Sequence, residues 1–301
     1  MQHLLSIKDL SQQQLLDLLA LAQNIKTNPD EYKHALEGKS VVMLFEKPSL
    51  RTRVSFDIGI NKLGGHSLYL DQQNGALGKR EPVSDFAANI SCWADAIVAR
   101  TFLHSTIEEL AEHGTVPVIN ALSDLYHPCQ GLADFLTLTE QYGDVSKVKL
   151  AYVGDGNNVT HSLMFGAAIL GAQLTVICPP GHFPDGKVVC EAQELAAKHG
   201  GKLILSSDIE AISDHHAIYT DTWISMGDST PMAEIEAKFK PYQVNAQLMQ
   251  KAGAKHFMHC LPAYREVEVT AEIVDGEGSL ILHQAENRMH AQNAVLVTLL
   301  S

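Results

Sequence analysis

Short apolar runs recur along the chain at 41–45, 96–99, 116–119, 150–153, 174–178, 203–205, 217–219 and 256–258, with stretches of helical period between most of them. The clearest of those stretches are 54–63, 85–93, 131–142, 159–170 and 188–198. Runs this short and continuous predict strands buried on both faces. Such strands, alternating with helices, make parallel sheets covered by helices on each side. The first helix is marked more sharply. Ser11 and Gln14 have the form of a capping box, and Leu15, Leu18, Leu19 and Ala22 follow on one stripe through about Ile25. The stretch at 131–142 stops at Gly143 and Asp144, and a new strand–turn–helix unit starts at Lys149. The expected division is therefore a first domain at 1–145, a second at 146–284, and a last helix at 285–301 that returns to the first. The fold class is α/β, with a mainly parallel sheet covered by helices in each domain.

Composition narrows the partners. At 301 residues the chain can bury two cores of ordinary size. Lys and Arg number 22 against 35 Asp and Glu, a formal charge of −13, so the surface repels a phosphate backbone and nucleic acid is not an expected partner. No apolar run approaches the ~20 residues of a membrane-spanning helix, so no membrane is expected either. The Leu-rich start carries Gln12, Gln13, Gln14 and Asp17 and has no basic stretch before an apolar block, so it does not read as a signal peptide. Five cysteines, at 92, 129, 178, 190 and 260, are odd in number and never spaced C-x-x-C. That usage predicts a reducing, cytoplasmic setting, with neither a disulfide framework nor a zinc knuckle.

Ligands of open parallel sheets sit outside the carboxyl ends of the strands, so the chemistry is sought just after each run. The segment 46–53, Glu-Lys-Pro-Ser-Leu-Arg-Thr-Arg, joins a buried strand to a helix. Free N–H groups and the positive helix end make an anion site there. Ser49 and Thr52 add hydroxyls, and Arg51 and Arg53 add forked donors matched to phosphate oxygens. The plainer alternative leaves Ser49 as a helix cap and the arginines in solvent. Placement between a buried strand and a helix in an acidic chain favours the anion site. Arg100 ends another run, while His127 and Gln130 flank a rigid proline, an arrangement that serves a ligand or a turn equally well.

After 150–153, Gly154-Asp155-Gly156-Asn157-Asn158 is half of a dinucleotide fingerprint. Val159 stands where the third glycine belongs and no acidic residue ends the next run, so a nicotinamide cofactor is not expected. The two asparagines offer amides to an uncharged or zwitterionic ligand. Asp221 and Ser225 place a carboxylate and a hydroxyl four residues apart, with Trp223 and Met226 as an apolar wall. Asp221 either binds an ammonium group or caps a helix. His127, Cys129, His259 and Cys260 would make a zinc set, but H-x-C and H-C pairs match no common ligand spacing, and no metal is expected. One domain thus supplies cationic groups, and the other supplies Asn158, Asp221, Ser225 and Cys260. The pattern suits a phosphate-bearing substrate in the first domain, an amine-bearing one in the second, and group transfer where they meet.

F-E-K-P-S-L-R-T-R at 45–53, H-P-C-Q at 127–130, D-T-W-I-S-M-G at 221–227 and H-C-L-P at 259–262 resemble the ornithine carbamoyltransferases. L-G-G-H (63–66), G-D-G-N-N (154–158) and A-E-N-R-M-H-A-Q (285–292) resemble that family in the same order, so the likeness runs nearly end to end. The first two motifs are shared with aspartate carbamoyltransferases; the third and fourth separate the ornithine type. The resemblance implies a carbamoyl phosphate domain, an ornithine domain, no cofactor, and a homotrimer or multiple of trimers with the site near the subunit interface. It implies that Ser49, Leu50, Arg51 and Thr52 hold the phosphate, with Arg100, His127 and Gln130 on the carbamoyl and phosphate oxygens. Gln73 would reach into a neighbouring subunit's site. Asn158, Asp221, Ser225 and Met226 would hold ornithine, and Cys260, Leu261 and Arg288 would close over the carbamoyl phosphate.

The reaction so implied carries the carbamoyl group to the side-chain amine of L-ornithine, giving L-citrulline and phosphate, a step of arginine biosynthesis. Asp221 and Cys260 would assist deprotonation of the amine, and Arg51, Arg100 and His127 would stabilise the oxyanion. Three positions depart from the usual family pattern: Leu50 stands for Thr, Tyr264 for His and Glu266 for Gly. The readings set beside this one are transfer to N-acylornithine, putrescine or aspartate, and a non-catalytic phosphate-ligand sensor on the same fold. An NAD-dependent oxidoreductase is opposed by the broken glycine pattern.

Overall fold

The apolar runs become strands of two parallel sheets in the computed structural model, which describes residues 1–71, 77–79, 81–224 and 231–301. The chain divides into two units, Met1–Leu136 with Asn287–Ser301, and Thr137–Glu286.

In the first unit, β1 (Ser40–Phe45), β2 (His66–Leu70), β3 (Ala96–Arg100) and β4 (Val118–Leu122) pair in the order β2-β1-β3-β4. All of β3 is buried, and so is β1 beyond Ser40. The helices Val83–Ile90 and His104–His113 press Val83, Ala87, Ile107 and Leu110 onto Leu44, Ile97, Ala99 and Val118. The helix Leu50–Lys62 approaches the last helix, Ile281–Leu300, at Gly59, where a Cβ would come within 2.3 Å of Asn293 Oδ1. The capping box forms as expected: Gln14 N donates to Ser11 Oγ at 3.2 Å and Ser11 N to Gln14 Oε1 at 2.9 Å. Leu15, Leu18, Leu19, Ala22 and Ile25 are buried along that helix, Gln12–Thr27.

Two departures from the expected elements have a local physical reason. β2 lies at the sheet edge with its residues exposed or half-buried, so it lacks the continuous apolar run that marks the others. The helix expected from 54 starts four residues earlier, at Leu50, because its first turn exposes Leu50, Arg51 and Arg53 and carries no buried stripe.

In the second unit, β5 (Lys149–Val153), β6 (Gln173–Ile177), β7 (Lys202–Ser206), β8 (Ala217–Thr220) and β9 (His256–His259) pair in the order β7-β6-β5-β8-β9. The chain runs outward from β5 to β7 and returns to β8 on the other side of β5. Strand order reverses there, and a crevice opens at the carboxyl ends of β5 and β8. The first unit has its own reversal between β1 and β3. Behind β5, the helix Asn158–Leu170 is buried at every position after Asn158, and Gly171, at φ +75°, ends it. Among the described residues no helix is long and apolar enough to cross a membrane.

Candidate active site

Each reversal of strand order carries a cluster of polar side chains. In the first unit, β1 leads through Glu46–Ser49 into the helix Leu50–Lys62, and Ser49 occupies its N-cap in extended conformation, its side chain bonding no helix amide. Its hydroxyl turns instead to Thr52 Oγ1, 2.8 Å away. The first-turn N–H groups are therefore left for another acceptor at the positive end of the helix.

Thr52 is fully buried, and its Oγ1 also receives Arg288 Nη2 at 2.6 Å. Arg288 Nη1 donates to Gln130 Oε1 at 3.0 Å, and Nη2 lies 3.3 Å from His127 Nε2. Gln130 is itself steered by Asp134, whose Oδ1 accepts its Nε2 at 2.8 Å. Arg100 ends β3 with 2% of its surface exposed, and its Nε has no hydrogen-bond partner among the described residues. Burial, with the Arg288 charge added, lowers its pKa to about 10, which leaves it cationic at neutral pH. Burial and then the Arg288 and Arg100 charges hold His127 well below the ordinary histidine range, so its ring is neutral. Lys47 is depressed by burial and by Arg100 as well. Cations crowded out of water in this way carry a standing electrostatic cost that a bound anion removes.

The second unit builds its cluster around one carboxylate. Asp221 follows β8 and is 8% exposed. Its Oδ2 accepts Asn157 Nδ2 at 2.9 Å, and its Oδ1 accepts Thr222 N at 2.8 Å and lies 3.0 Å from Cys260 Sγ. Three strands thus contribute, since Asn157 follows β5 and Cys260 follows β9. Asp221 caps no helix; that task falls to Asn157, whose Oδ1 receives the Val159 and Thr160 amides. Those are the amides a dinucleotide's pyrophosphate would need. Gly156 is required by close approach, because a Cβ there would stand 2.2 Å from Pro184 N.

Behind Cys260, His259 is fully buried: its Nδ1 accepts Leu261 N at 2.9 Å and its Nε2 faces Glu268 Oε1 at 3.3 Å. Asp221, His259 and Cys260 are the described residues whose ligand atoms gather within 4.8 Å. With Leu261 N on Nδ1 and Glu268 Oε1 facing Nε2, both ring nitrogens of His259 are already engaged within the chain. Of the zinc set weighed from sequence, only His259 and Cys260 belong to that group. Burial pushes the Cys129 thiol up to about 12, which makes it a small apolar side chain.

Of the residues singled out in the sequence, Thr52, His127, Gln130 and Arg288 join one network in the first unit, with Ser49 bonded to Thr52 and Arg100 electrostatically coupled to it. Leu50 and Arg51 are exposed on the same helix turn, and among the described residues no hydrogen bond or ion pair engages Arg51. Arg53 is turned elsewhere, stacked 3.9 Å over the Tyr69 ring. In the second unit Asp221 and Cys260 meet, Leu261 is held by His259, and Asn158 begins the helix next to the residue that reaches Asp221. That residue, Asn157, is the one sequence reasoning passed over, although the pair was noted together. Gln73, Ser225 and Met226 lie outside the described residues.

Residues 2–140 match the carbamoyl-P binding domain, and residues 146–299 the Asp/Orn binding domain, of aspartate/ornithine carbamoyltransferases. The chain is 77% identical to an ornithine carbamoyltransferase of Shewanella oneidensis over the whole of both chains. Among solved structures it resembles the ornithine carbamoyltransferase from Pyrococcus furiosus, with a TM-score of 0.96 and 44% identity over 99% of this chain and 97% of that one. An acetylornithine transcarbamylase complexed with acetylcitrulline matches over all of both chains at a TM-score of 0.90 but 28% identity.

Proposed function

The chain belongs to the family of aspartate/ornithine carbamoyltransferases, and from that premise we propose how its two half-sites share the reaction. The enzyme transfers the carbamoyl group of carbamoyl phosphate to the side-chain amine of L-ornithine, giving L-citrulline and phosphate. In our reading the first unit takes the phosphate on the amides of Leu50, Arg51 and Thr52, the Ser49 hydroxyl and the Arg51 guanidinium. Arg100, His127 and Gln130 take the carbamoyl and remaining phosphate oxygens, and Arg288 orients Thr52, Gln130 and His127 for that task. The observation that carries this assignment is the buried, cationic Arg100 beside a helix N-terminus whose cap side chain bonds none of its amides.

In the second unit Asp221 takes the ornithine ammonium, with Asn158, Ser225 and Met226 holding the amino acid. An alkyl ammonium titrates near about 10.4, so a proton must leave before attack. The Asp221 carboxylate receives it, assisted by the Cys260 thiol 3.0 Å away. The amine nitrogen then bonds to the carbamoyl carbon, and the oxyanion that builds is met by Arg51, Arg100 and the neutral His127 ring as a hydrogen-bond donor. Collapse breaks the carbon–oxygen bond to phosphate, and the departing phosphate takes the second proton of the amine nitrogen as it leaves on the Ser49 turn. Cys260 and Leu261 bound the carbamoyl group.

We propose further that the enzyme is a cytoplasmic homotrimer, or a multiple of one, in which Gln73 reaches a neighbouring subunit's site. Support comes from an apolar stripe on the first unit: Leu50, Val54 and Ile58 on one helix and Leu68 on the edge strand β2 are all exposed. Such a stripe is unlike the surface of a monomer. The acceptor is tested by measuring citrulline and phosphate from carbamoyl phosphate with L-ornithine beside N-acetylornithine, putrescine and aspartate at equal concentration. Turnover confined to ornithine is expected. Turnover with another amine would keep the carbamoyl phosphate half-site and overturn the second, and no turnover would favour a sensor.

A further inference from the structure

The two loops that frame Asp221 are joined by a residue outside the cluster, His182. The segment 178–185, between β6 and the helix Gly186–His199, lies over the turn at 154–157. His182 O accepts Gly156 N at 2.8 Å, and Asp185 N donates to His161 Nε2 at 3.1 Å. The His182 ring sits with Nδ1 3.0 Å from Asp155 Oδ1. An ionised carboxylate only accepts, so Nδ1 carries the proton. Asp155 is fixed from its other side, because its carbonyl accepts the Tyr152 hydroxyl at 2.7 Å and the Thr160 hydroxyl at 3.1 Å.

The same ring meets Phe239 edge-on, with centroids 4.7 Å apart and planes at 72°. Phe239 is fully buried and lies 5.5 Å from the Trp223 ring, and Trp223, Ile235 and Phe239 form a small apolar cluster. Trp223 stands two residues after Asp221 and two before Ser225. One imidazole therefore touches the turn that ends in Asn157 and, through one phenyl ring, the segment that starts at Asp221. The Asn157–Asp221 bond closes the circuit.

We infer that His182 is a positioning residue for the acceptor amino acid: it ties the 154–158 turn to the 221–224 segment so that Asn157 and Asp221 present one arrangement to ornithine. The inference rests on reading these loops as the ornithine half-site. A positioning role predicts a loss confined to one substrate. The test is steady-state kinetics of the full-length enzyme, with ornithine and carbamoyl phosphate each varied at saturation of the other. His182→Ala removes both links and is expected to raise the ornithine KM about tenfold, the value of one aromatic contact plus one hydrogen bond. The carbamoyl phosphate KM should stay within about twofold, below ~0.4 kcal/mol. His182→Asn returns a donor near the Nδ1 position and should recover part of the ornithine KM. An unchanged ornithine KM in His182→Ala, a parallel rise in both KM values, or no recovery in His182→Asn would each overturn the inference. Asp221→Asn, run in parallel, separates the two levels. If it too leaves the ornithine KM unchanged, the half-site reading falls; if it raises that KM while His182→Ala does not, only the role of His182 falls.

Discussion

Arg288 and Thr52 lie 236 residues apart in sequence and 2.6 Å apart in the first unit, whereas Glu268 grips His259 from nine residues away in the second. The first half-site is assembled by guanidinium groups that hold side-chain oxygens and a ring nitrogen: Thr52, Gln130 and His127 all face Arg288. The second is assembled by carboxylates that hold backbone amides. Glu268 Oε1 receives Tyr264 N at 2.5 Å, Asp221 receives Thr222 N, and Glu266 receives Ala271 N. On the proposed assignment, the difference follows from the charge each must meet. A site for a dianionic phosphoryl group gathers cations that repel one another until the ligand arrives. A site for an ammonium group keeps a single carboxylate buried with three donors around it. On that assignment the first unit keeps its cost as charge repulsion, and the second keeps its carboxylate in place through loop hydrogen bonds.

The largest effect that would break this comparison is on Arg100. Arg100→Ala should lower kcat by ~10² to 10³, the usual cost of removing one oxyanion donor. Steady-state assay at saturating substrates measures it, and near-normal turnover would remove Arg100 from the chemistry. Next is ligand-linked stability. Burial depresses the Arg100 pKa to about 10, so the charge it keeps at neutral pH costs more in the folded, ligand-free state than in the unfolded chain, and an anion reverses that penalty. Carbamoyl phosphate, or inorganic phosphate at higher concentration, should raise the melting temperature. At 100 times Kd the stabilisation is about 2.7 kcal/mol. Ornithine alone should do less, and an equal rise with ornithine would mean that the second unit carries as large a cost as the first.

A smaller effect concerns protons. His127 is held below its unfolded value, which is near about 6.5. Between the folded and unfolded pKa values the unfolded chain binds the extra proton, so the contribution is full above about pH 6.5 and is lost as pH falls toward the folded value. His104, His215 and His256 are depressed by burial and act in the same direction. The informative quantity is therefore the difference in slope of urea stability against pH between the parent and His127→Gln. The variant should show the shallower decline between neutral pH and pH 5.5, and identical slopes would mean that His127 protonates freely in the folded enzyme.

The same contrast explains what the sequence made legible. Central strands such as β1, β3 and β8 announce themselves because burial on both faces demands consecutive apolar residues, and the anion turn is legible because its residues are contiguous from Ser49 to Thr52. β2 is silent because edge exposure relaxes the pattern. Arg288 enters the network through tertiary contact alone; nothing local in 285–292 points to Thr52, and only the resemblance to a known family brought it to the site. Asn157 and Asn158 are equivalent as letters, and the helix start decides between them, turning the first toward Asp221. His182 left no signal, since an isolated histidine after two prolines is unremarkable until Asp155 and Phe239 are seen on either side of it.

Glu266 shows how the second unit's loop geometry tolerates a departure from the family pattern, with the smallest effect of the set. Its φ is +65°, in the left-handed region where glycine is at ease and other residues carry about 1 kcal/mol of strain. Against that, its Oε1 accepts the first-turn amide of the helix Ala271–Val274, whose own cap residue, Thr270, makes no side-chain bond. An exposed hydrogen bond of this kind contributes about 0.5 to 1 kcal/mol. Glu266→Ala keeps the strain and loses the bond, so it should destabilise by about that amount. Glu266→Gly loses the bond and relieves the strain, so its urea midpoint should stay close to the parent's. If the alanine variant matched the parent and the glycine variant were clearly more stable, the carboxylate would contribute nothing to the loop. If both lost stability equally, the left-handed backbone would carry no strain, and the loop would be held by its carboxylates alone.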